Sequence, residues 1–309
     1  MQPQIDRPHK VAEEAPAYNI PAVIDRPLKV DDGEKIFVTR FEIQGATDHP
    51  EDNLYVKNFL SLLGGYKSQH TEGMTVGQLQ EAANLVRDAY RKAGYPVAQA
   101  FIPAQDVKDG VVKVSVLEGV LGGVVVEKNT LYSEKMIKQG TANVVGKPVR
   151  ISSLESALMK INDYPGMDVL GVLRPGKRVG EAELVLNAQN EDPYEFFVTA
   201  DNQGTVATGQ SRVFAGATAN NLLGLADRLD FVALRTFSPS DSLYGSLYYE
   251  AQTPVPSLRA GGGYSVNAYN VGKAYAPLPV AGKTVQWDAY LLNNWQRSRR
   301  LSMSSRFDL

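Results

Sequence analysis

The sequence predicts two small α+β domains followed by the antiparallel strands of a transmembrane β-barrel. Residues 194–309 alternate apolar and polar side chains over seven segments. Several of these segments reach the roughly 9–11 residues that a tilted strand needs to cross a bilayer. Residues 36–189 hold two successive stretches with one predicted element order, β-α-α-β-β, which indicates an internal repeat. At 309 residues the chain is long enough for domains of this kind.

The composition excludes several classes of function. A formal net charge of −2 creates no global field toward nucleic acid, so we expect no nucleic-acid partner. The absence of cysteine excludes disulfides and thiolate metal sites, and it is typical of chains that cross an oxidising compartment. The histidines, His9, His49 and His70, lack metal-ligand spacing. We therefore expect no metal, no cofactor and no catalytic residue, and we do not expect an enzyme.

Residues 1–34 are predicted to be an N-terminal plug or linker segment, because five prolines punctuate them. They carry no basic-then-apolar signal pattern, so we expect that an export signal was removed before this point. No run approaches the roughly 18 consecutive apolar residues of a membrane-spanning helix, so the sequence predicts no such helix.

Residues 35–118 form the first predicted α+β domain. A capping box at Thr75 begins its second helix, and Gly94 is a natural residue to end that helix. Asp109-Gly110 indicates a tight turn between two strands. The predicted elements are a strand at 36–43, a helix at 53–63 that stops at Gly64-Gly65, a helix at 76–93, and strands at 97–102 and 111–117.

Residues 119–190 repeat this order in a second predicted domain. Ser152 and Glu155 indicate a capping box for its longer helix, which we expect to end at Pro165. The other predicted elements are a strand at 123–127, a helix at 133–139, and strands at 169–173 and 183–186.

Residues 191–309 are predicted to be the N-terminal part of the barrel. In Ser242–Gln252, Leu243 and Leu247 fall on one face, whereas Tyr248 and Glu250 fall on the other. Such alternation suits a wall with lipid on one side and water on the other. A soluble β-sandwich or an oligomeric fibre also has alternating strands, so both remain alternatives on pattern alone.

Several motifs in this order resemble one known family. They are Ala100-Phe101-Ile102-Pro103-Ala104-Gln105-Asp106-Val107 and Val116-Leu117-Glu118-Gly119 in the first domain, Gly146-Lys147-Pro148 and Asn162-Asp163 in the second, and Asn220-Asn221-Leu222-Leu223-Gly224-Leu225-Ala226-Asp227 in the barrel region. Over about residues 36–309, the chain resembles the outer-membrane transporters of two-partner secretion, the haemolysin and filamentous haemagglutinin secretion/activation family.

The resemblance implies two periplasmic POTRA domains, a plug helix and a sixteen-stranded barrel in the outer membrane of a Gram-negative bacterium. It implies a monomeric pore in outer-membrane lipid that secretes a large exoprotein partner of the haemagglutinin, haemolysin or adhesin type. Seven strands fill residues 193–309, and the family's signature loop is absent. We therefore expect this sequence to be an N-terminal fragment of a longer protein.

The resemblance also directs attention to the first POTRA domain as the place where the client binds. An unfolded client can add a strand to a free sheet edge, beside a groove along the second helix. The expected client-binding residues are Tyr90, Tyr95, Val97, Gln99 and Phe101. Core packing is the alternative for Val97 and Phe101. Two other functions stay open, namely an outer-membrane protein insertase and a periplasmic interaction module or adhesin with a soluble β domain.

Overall fold

A computed structural model describes residues 18–19, 34–238, 241–271, 280–298 and 301–309. Nearly all of the predicted plug or linker segment, 1–34, therefore lies outside the described residues. The chain divides into two compact units, one of Met1–Val125, Thr141–Ala157 and Gly171–Leu186, and one of Val126–Gly140, Leu158–Leu170 and Asn187–Leu309. Within the described ranges, no helix has both the length and the apolar character needed to cross a membrane.

The first α/β region contains two helices and a three-stranded sheet. Its elements are β2 (Arg40–Gln44), a 3-10 helix (Pro50–Asp52), α1 (Val56–Ser68), α2 (Val76–Lys92), β3 (Gln99–Phe101) and β4 (Val111–Leu117). The sheet order is β2-β4-β3, with β2 parallel and β3 antiparallel to the central strand β4. The strand β3 therefore forms one edge of this sheet.

The second helix forms as its sequence predicts. Thr75 accepts a hydrogen bond from the Gln78 amide nitrogen, and the Gln78 side chain accepts one from the Thr75 amide nitrogen, which confirms the capping box. Leu79 and Val86 are buried on the face that meets the sheet. Gly94 follows the helix at a φ of +95°, a left-handed conformation that favours glycine.

The first helix extends beyond its predicted end. Gly64 and Gly65 lie inside α1, which continues to Ser68. Phe59 and Leu63 are buried in the core on the same helix. Burial of these side chains outweighs the roughly 1 kcal/mol by which a glycine weakens a helix interior. The prediction that Gly64-Gly65 stops the helix is wrong for this reason.

The second α/β region repeats the predicted element order. Its elements are β5 (Val120–Glu127), α3 (Glu134–Gly140), α4 (Ile151–Asn162), β6 (Met167–Pro175) and β7 (Glu181–Asn190). The sheet order is β1-β6-β7-β5, where β1 is Tyr18–Asn19 and runs parallel to β6.

The predicted capping box of α4 is wrong. The helix begins at Ile151, so Ser152 lies inside its first turn. The carbonyl of Arg150 accepts a bond from the Leu154 amide nitrogen, which gives Arg150 the position of the N-cap. The start of this helix is set by tertiary contacts of the residues before it, which are described below.

The remainder of the chain forms one antiparallel sheet. Its strands are β8 (Tyr194–Asp201), β9 (Ser211–Asn220), β10 (Arg228–Phe237), β11 (Ser242–Gln252), β12 (Leu258–Asn270), β13 (Ala281–Arg297) and β14 (Ser302–Asp308). Each strand pairs with its neighbour in sequence, in the order β14-β13-β12-β11-β10-β9-β8. The predicted fold class, α+β domains followed by antiparallel strands, is confirmed.

The register gives this sheet one apolar and one polar face. A single row across six strands joins Phe196, Ala217, Phe231, Leu247, Tyr264 and Trp287. The adjacent row on the opposite face joins Glu195, Thr218, Asp230, Tyr248, Gly263 and Asp288. Phe196 and Trp287 are 74% and 75% exposed, although large apolar side chains are usually buried in soluble sheets. The sequence alternation therefore corresponds to two physically different surfaces.

Four aromatic side chains on the polar face each cover the glycine directly opposite them on the next strand. The pairs are Phe197 with Gly216, Tyr248 with Gly263, Tyr290 with Gly261, and Tyr269 with Gly282. A Cβ atom on Gly263 would lie 2.3 Å from the ring of Tyr248. These glycines leave the space that the rings occupy, and each ring covers backbone that a glycine leaves bare.

Replacing Gly263 by alanine is expected to destabilise the seven-stranded sheet by about 1–3 kcal/mol, because the Tyr248 ring must leave its place. Gly245→Ala is the matched control, since a Cβ there meets the nearest atom, Val266 Cγ1, at an ordinary 3.6 Å. Circular dichroism during urea unfolding of the chain in detergent measures the unfolding midpoint of each variant. Equal midpoints for the two variants would contradict the prediction.

Candidate functional site

The edge strand β3 presents an exposed apolar side chain and outward-facing backbone groups. Its residue Phe101 pairs with Ser115 on β4 and is 38% exposed. Gln99, which pairs with Leu117, is half-buried. Val97, also half-buried, lies over Gly119, where a Cβ would come within 2.4 Å of the valine side chain. The structure thus places three of the five predicted client-binding residues on or next to this edge.

The other two predicted residues lie in the core. Tyr90 and Tyr95 are 0% and 1% exposed, with ring centroids 5.9 Å apart in a T-shaped arrangement. Burial, together with a hydrogen bond from Tyr90 to Glu118, raises the pKa of the Tyr90 hydroxyl. Burial and a hydrogen bond to Asp52 raise the pKa of Tyr95 in the same way. Neither ring offers a surface for direct contact with a second molecule.

A buried carboxylate joins the end of β4 to the loop after β2. Glu118, whose side chain is 9% exposed, accepts hydrogen bonds from the Tyr90 hydroxyl at 2.8 Å and from the Thr47 amide nitrogen at 2.7 Å. The Thr47 hydroxyl donates to it as well, at 2.8 Å. His49 Nε2 lies 3.2 Å from the same carboxylate. Here the motif Val116-Leu117-Glu118-Gly119 has a physical role, which is to satisfy four polar groups around one buried acid.

A second polar contact links the first α/β region to the start of α4. Asp52 accepts a hydrogen bond from the Tyr95 hydroxyl at 2.8 Å and forms an ion pair with Arg150. On either side of this arginine, the Ile151 amide donates to the Gly94 carbonyl at 2.9 Å, and the Val149 amide donates to the Gly119 carbonyl at 2.8 Å. No pattern in the sequence identified Asp52 and Arg150, because they lie 98 positions apart.

The motif at 220–227 forms the turn between β9 and β10. Asn221 adopts a φ of +56°, and its side-chain amide donates to the Leu131 carbonyl at 2.6 Å. Asp227, fully buried, accepts bonds from the amides of Leu223 and Leu225 at 3.0–3.1 Å. The motif therefore specifies a turn that satisfies its own backbone and is held against residue 131.

Charged side chains are paired on the polar face of the seven-stranded sheet. Arg259, whose side chain is 6% exposed, donates to Glu250 at 2.6 Å and to the Ala226 carbonyl at 2.9 Å. Glu250 also accepts a bond from the Tyr290 hydroxyl at 2.7 Å. This cluster pairs an acidic and a basic side chain across neighbouring strands on the polar face.

Within the described residues, no group of three or more histidine, aspartate or glutamate side chains is placed to hold a metal ion. The polar clusters at Glu118 and Asp52 consist of acids already paired with donors on their own chain. Their arrangement serves structure.

Two family models match the chain. The POTRA domain, ShlB-type, matches residues 37–119, and the haemolysin secretion/activation protein ShlB/FhaC/HecB model matches residues 180–307. The α/β fold of the first region and the two-faced sheet that follows it largely coincide with these two matched ranges. Over these two ranges the chain is similar to the haemolysin secretion/activation protein family, which is a family of transporters.

Individual relatives agree with this assignment. The chain is 28% identical over 235 residues to the heme/hemopexin transporter protein HuxB of Haemophilus influenzae, a match that covers 75% of this chain and 41% of the relative. It is 26% identical to the outer membrane transporter CdiB of Dickeya dadantii, with 71% and 38% covered. The chain thus spans about two fifths of the length of these two relatives.

Solved structures show the same fold. CdiB from Escherichia coli superposes with a TM-score of 0.65 at 22% identity, over 90% of this chain and 51% of that protein. CdiB from Acinetobacter baumannii superposes with a TM-score of 0.55 at 20% identity, over 94% and 57%. At these identities the likeness concerns the fold.

Proposed function

We propose that this chain is the N-terminal part of an outer-membrane pore of two-partner secretion, which captures an unfolded exoprotein in the periplasm and passes it through a β-barrel. The observation that carries the proposal is a two-faced antiparallel sheet that follows an α/β domain with an accessible sheet edge. The two-faced sheet suits a bilayer, and the sheet edge of the α/β domain suits pairing with an extended polypeptide.

The sheet is suited to a bilayer because its exposed face is apolar along the whole register. Leu243, Leu247 and Val285 on this face are between 45% and 46% exposed. In hydrocarbon, backbone polar groups must bond within the sheet, and antiparallel neighbours meet that need for β9 to β13 on both sides. The polar face then lines the water-filled route of the client.

The domain division follows from this assignment. Residues 1–34 form the plug or linker segment, 35–118 the first POTRA domain, 119–190 the second, and 191–309 the N-terminal part of the barrel. Both POTRA domains lie in the periplasm, on the side from which an exported client arrives. The pore is monomeric and is surrounded by outer-membrane lipid, and it needs no enzymatic activity.

The partner is a large secreted exoprotein of the haemagglutinin, haemolysin or adhesin type. Main-chain hydrogen bonds at an open edge accept many sequences, whereas the apolar side chains beside the edge favour apolar client residues. Gln99, Phe101 and the neighbouring Val97 provide that surface, and the buried Tyr90 and Tyr95 support it. Folding of the exoprotein outside the cell gives the transport its direction.

Replacing Phe101 by aspartate tests the location of the client site. We expect the affinity for the unfolded N-terminal domain of the partner exoprotein to fall at least about tenfold, because a charge replaces an apolar contact beside the paired strand. Binding to the whole chain in detergent is measured by fluorescence polarisation, with hydrogen exchange of β4 amides as the check on folding.

Phe37→Asp is the matched control, since Phe37 is 72% exposed and precedes β2 at the opposite edge of the same sheet. It should leave affinity unchanged. A folded Phe101→Asp variant with unaltered affinity would remove the client from the β3 edge. A loss of affinity seen only in Phe37→Asp would indicate that the client binds at the β2 edge instead.

A further inference from the structure

A glutamine side chain from α2 lies along the outer edge of β3. Gln80 Nε2 donates to the Ala100 carbonyl oxygen at 3.2 Å, and Gln80 Oε1 accepts from the Ile102 amide nitrogen at 3.4 Å. The same Nε2 also donates to Asn84 Oδ1, one helical turn further on, at 3.1 Å. The two backbone contacts fix which end of the amide carries the nitrogen atom, because a carbonyl oxygen can only accept and an amide N–H can only donate.

The register of the sheet explains why these two backbone groups are available. Gln99 and Phe101 pair with Leu117 and Ser115 on β4, and the groups of Ala100 and Ile102 that Gln80 contacts lie on the opposite edge. A carbonyl at one residue and an amide two positions later are the groups that a parallel strand would bond opposite Phe101. The Gln80 amide therefore takes the place of the N–H and C=O of one residue of a further strand.

A second glutamine in this sheet provides a comparison. The side chain of Gln105 bonds both backbone groups of Lys113 on β4, at 2.9 Å and 2.8 Å, beyond the point where β3 ends. Those bonds are short and complete the pairing of an inner strand. The bonds of Gln80 are longer, and they occupy the edge at which the proposed function places the client.

We propose that the Gln80 side chain is a displaceable plug on the β3 edge, separate from the predicted N-terminal plug segment. To pair with this edge, an extended segment of an unfolded polypeptide must replace the hydrogen bonds of Gln80 to the Ala100 carbonyl and the Ile102 amide. This inference rests on the proposed function and refines its capture step. An empty edge would leave these groups open to any exposed strand, and the plug satisfies them until a client arrives. The displaced amide is then solvated by water, which keeps the exchange nearly balanced.

Two variants separate the two bonds of the plug. Gln80→Ala removes both side-chain groups that compete with the polypeptide for the Ala100 carbonyl and the Ile102 amide. We therefore expect an unfolded polypeptide to bind roughly three- to tenfold more tightly. Gln80→Glu keeps the acceptor for the Ile102 amide, but its carboxylate cannot donate to the Ala100 carbonyl, so a smaller increase is expected. Glu81→Ala, at the next position of α2, introduces the same residue where the side chain accepts a hydrogen bond from the Tyr66 hydroxyl on α1. It should leave affinity unchanged.

The experiment has two readouts on the whole chain in detergent. Without ligand, hydrogen exchange of the Ile102 amide should be faster in Gln80→Ala than in the unsubstituted chain, with the Phe101 amide as internal reference. Fluorescence polarisation with labelled, reduced and carboxymethylated α-lactalbumin, a chain that stays unfolded, then measures affinity.

The outcomes distinguish the plug from the proposed function. Equal affinity of Gln80→Ala and the unsubstituted chain, with both binding the probe, would overturn the plug and leave client capture intact. Weaker binding by Gln80→Ala would also overturn it, because the amide would then be a contact for the client. Faster exchange at Ile102, with no binding by any variant of either this probe or the partner exoprotein, would overturn capture at this edge.

Discussion

Glu118→Ala is expected to lower the free energy of unfolding of the first POTRA domain by roughly 3 kcal/mol. The substitution removes the acceptor for the Tyr90 hydroxyl and for the Thr47 amide. The tyrosine is fully buried, so its hydroxyl cannot turn to water instead. Each buried donor left without a partner costs about 1–3 kcal/mol, and part of the loss is recovered by removal of a buried charge.

Hydrogen exchange of the core amides of Val112 and Val114, measured on the whole chain in detergent, reports this free energy. Glu118→Gln should lose less, because its amide oxygen still accepts a bond. Glu72→Ala is the control, since this side chain is 86% exposed and its ion pair with Lys35 contributes at most about 1 kcal/mol. If Glu118→Ala protects these amides as well as Glu72→Ala does, the carboxylate is not the structural centre that its contacts imply.

Asp52→Ala is expected to loosen the connection between the first α/β region and the start of α4 by about 2 kcal/mol. The variant leaves the Tyr95 hydroxyl without its acceptor and Arg150 without its counter-ion. The Arg150 side chain is 30% exposed, so water compensates part of the lost ion pair, and the estimate is correspondingly below that for a fully buried pair.

The Ile151 amide reports this change directly, because it donates to the Gly94 carbonyl of the first region. The Val149 amide, which donates to the Gly119 carbonyl just after β4, reports it as well. Their hydrogen exchange should accelerate in Asp52→Ala and in Arg150→Ala, and the double variant should add little to either single change. Arg178→Ala is the matched control, since that side chain is 83% exposed and pairs only three positions along the chain. Fully additive effects of the two single variants would show that the ion pair does not couple these segments.

Elements with a strong local signal could be predicted from the sequence. The helix α2 has a capping box at its start and a glycine at its end, and both agree with the structure. The strand β4, Val111–Leu117, was predicted with its observed bounds, because the Asp109-Gly110 turn fixes where it begins. The alternating faces of the seven-stranded sheet follow from the period of two in apolar residues along each strand, which does not depend on which strands are neighbours.

Predictions failed where a distant contact competed with the local signal. Burial of Leu63 carries α1 through two glycines, and the contacts of Arg150 place the start of α4 before Ser152. The strand β3 covers only Gln99–Phe101, because Pro103 has no amide hydrogen and a side chain, Gln105, takes over the pairing with β4. Apolar periodicity likewise could not distinguish a tyrosine that lines a groove from one that fills the core.

By itself, the sequence determined the fold class, the element order and the two faces of the long sheet, because turn residues and hydrophobic periods act over a few neighbouring positions. Only the tertiary structure decided which polar groups meet. Glu118 and Thr47 lie 71 positions apart, and Gln80 contacts backbone groups of Ala100 and Ile102, which lie 20 and 22 positions further along the chain. Contacts at such separations depend on how helices and strands pack against one another. They determine which side chain, Gln80, lies along the β3 edge of the first sheet.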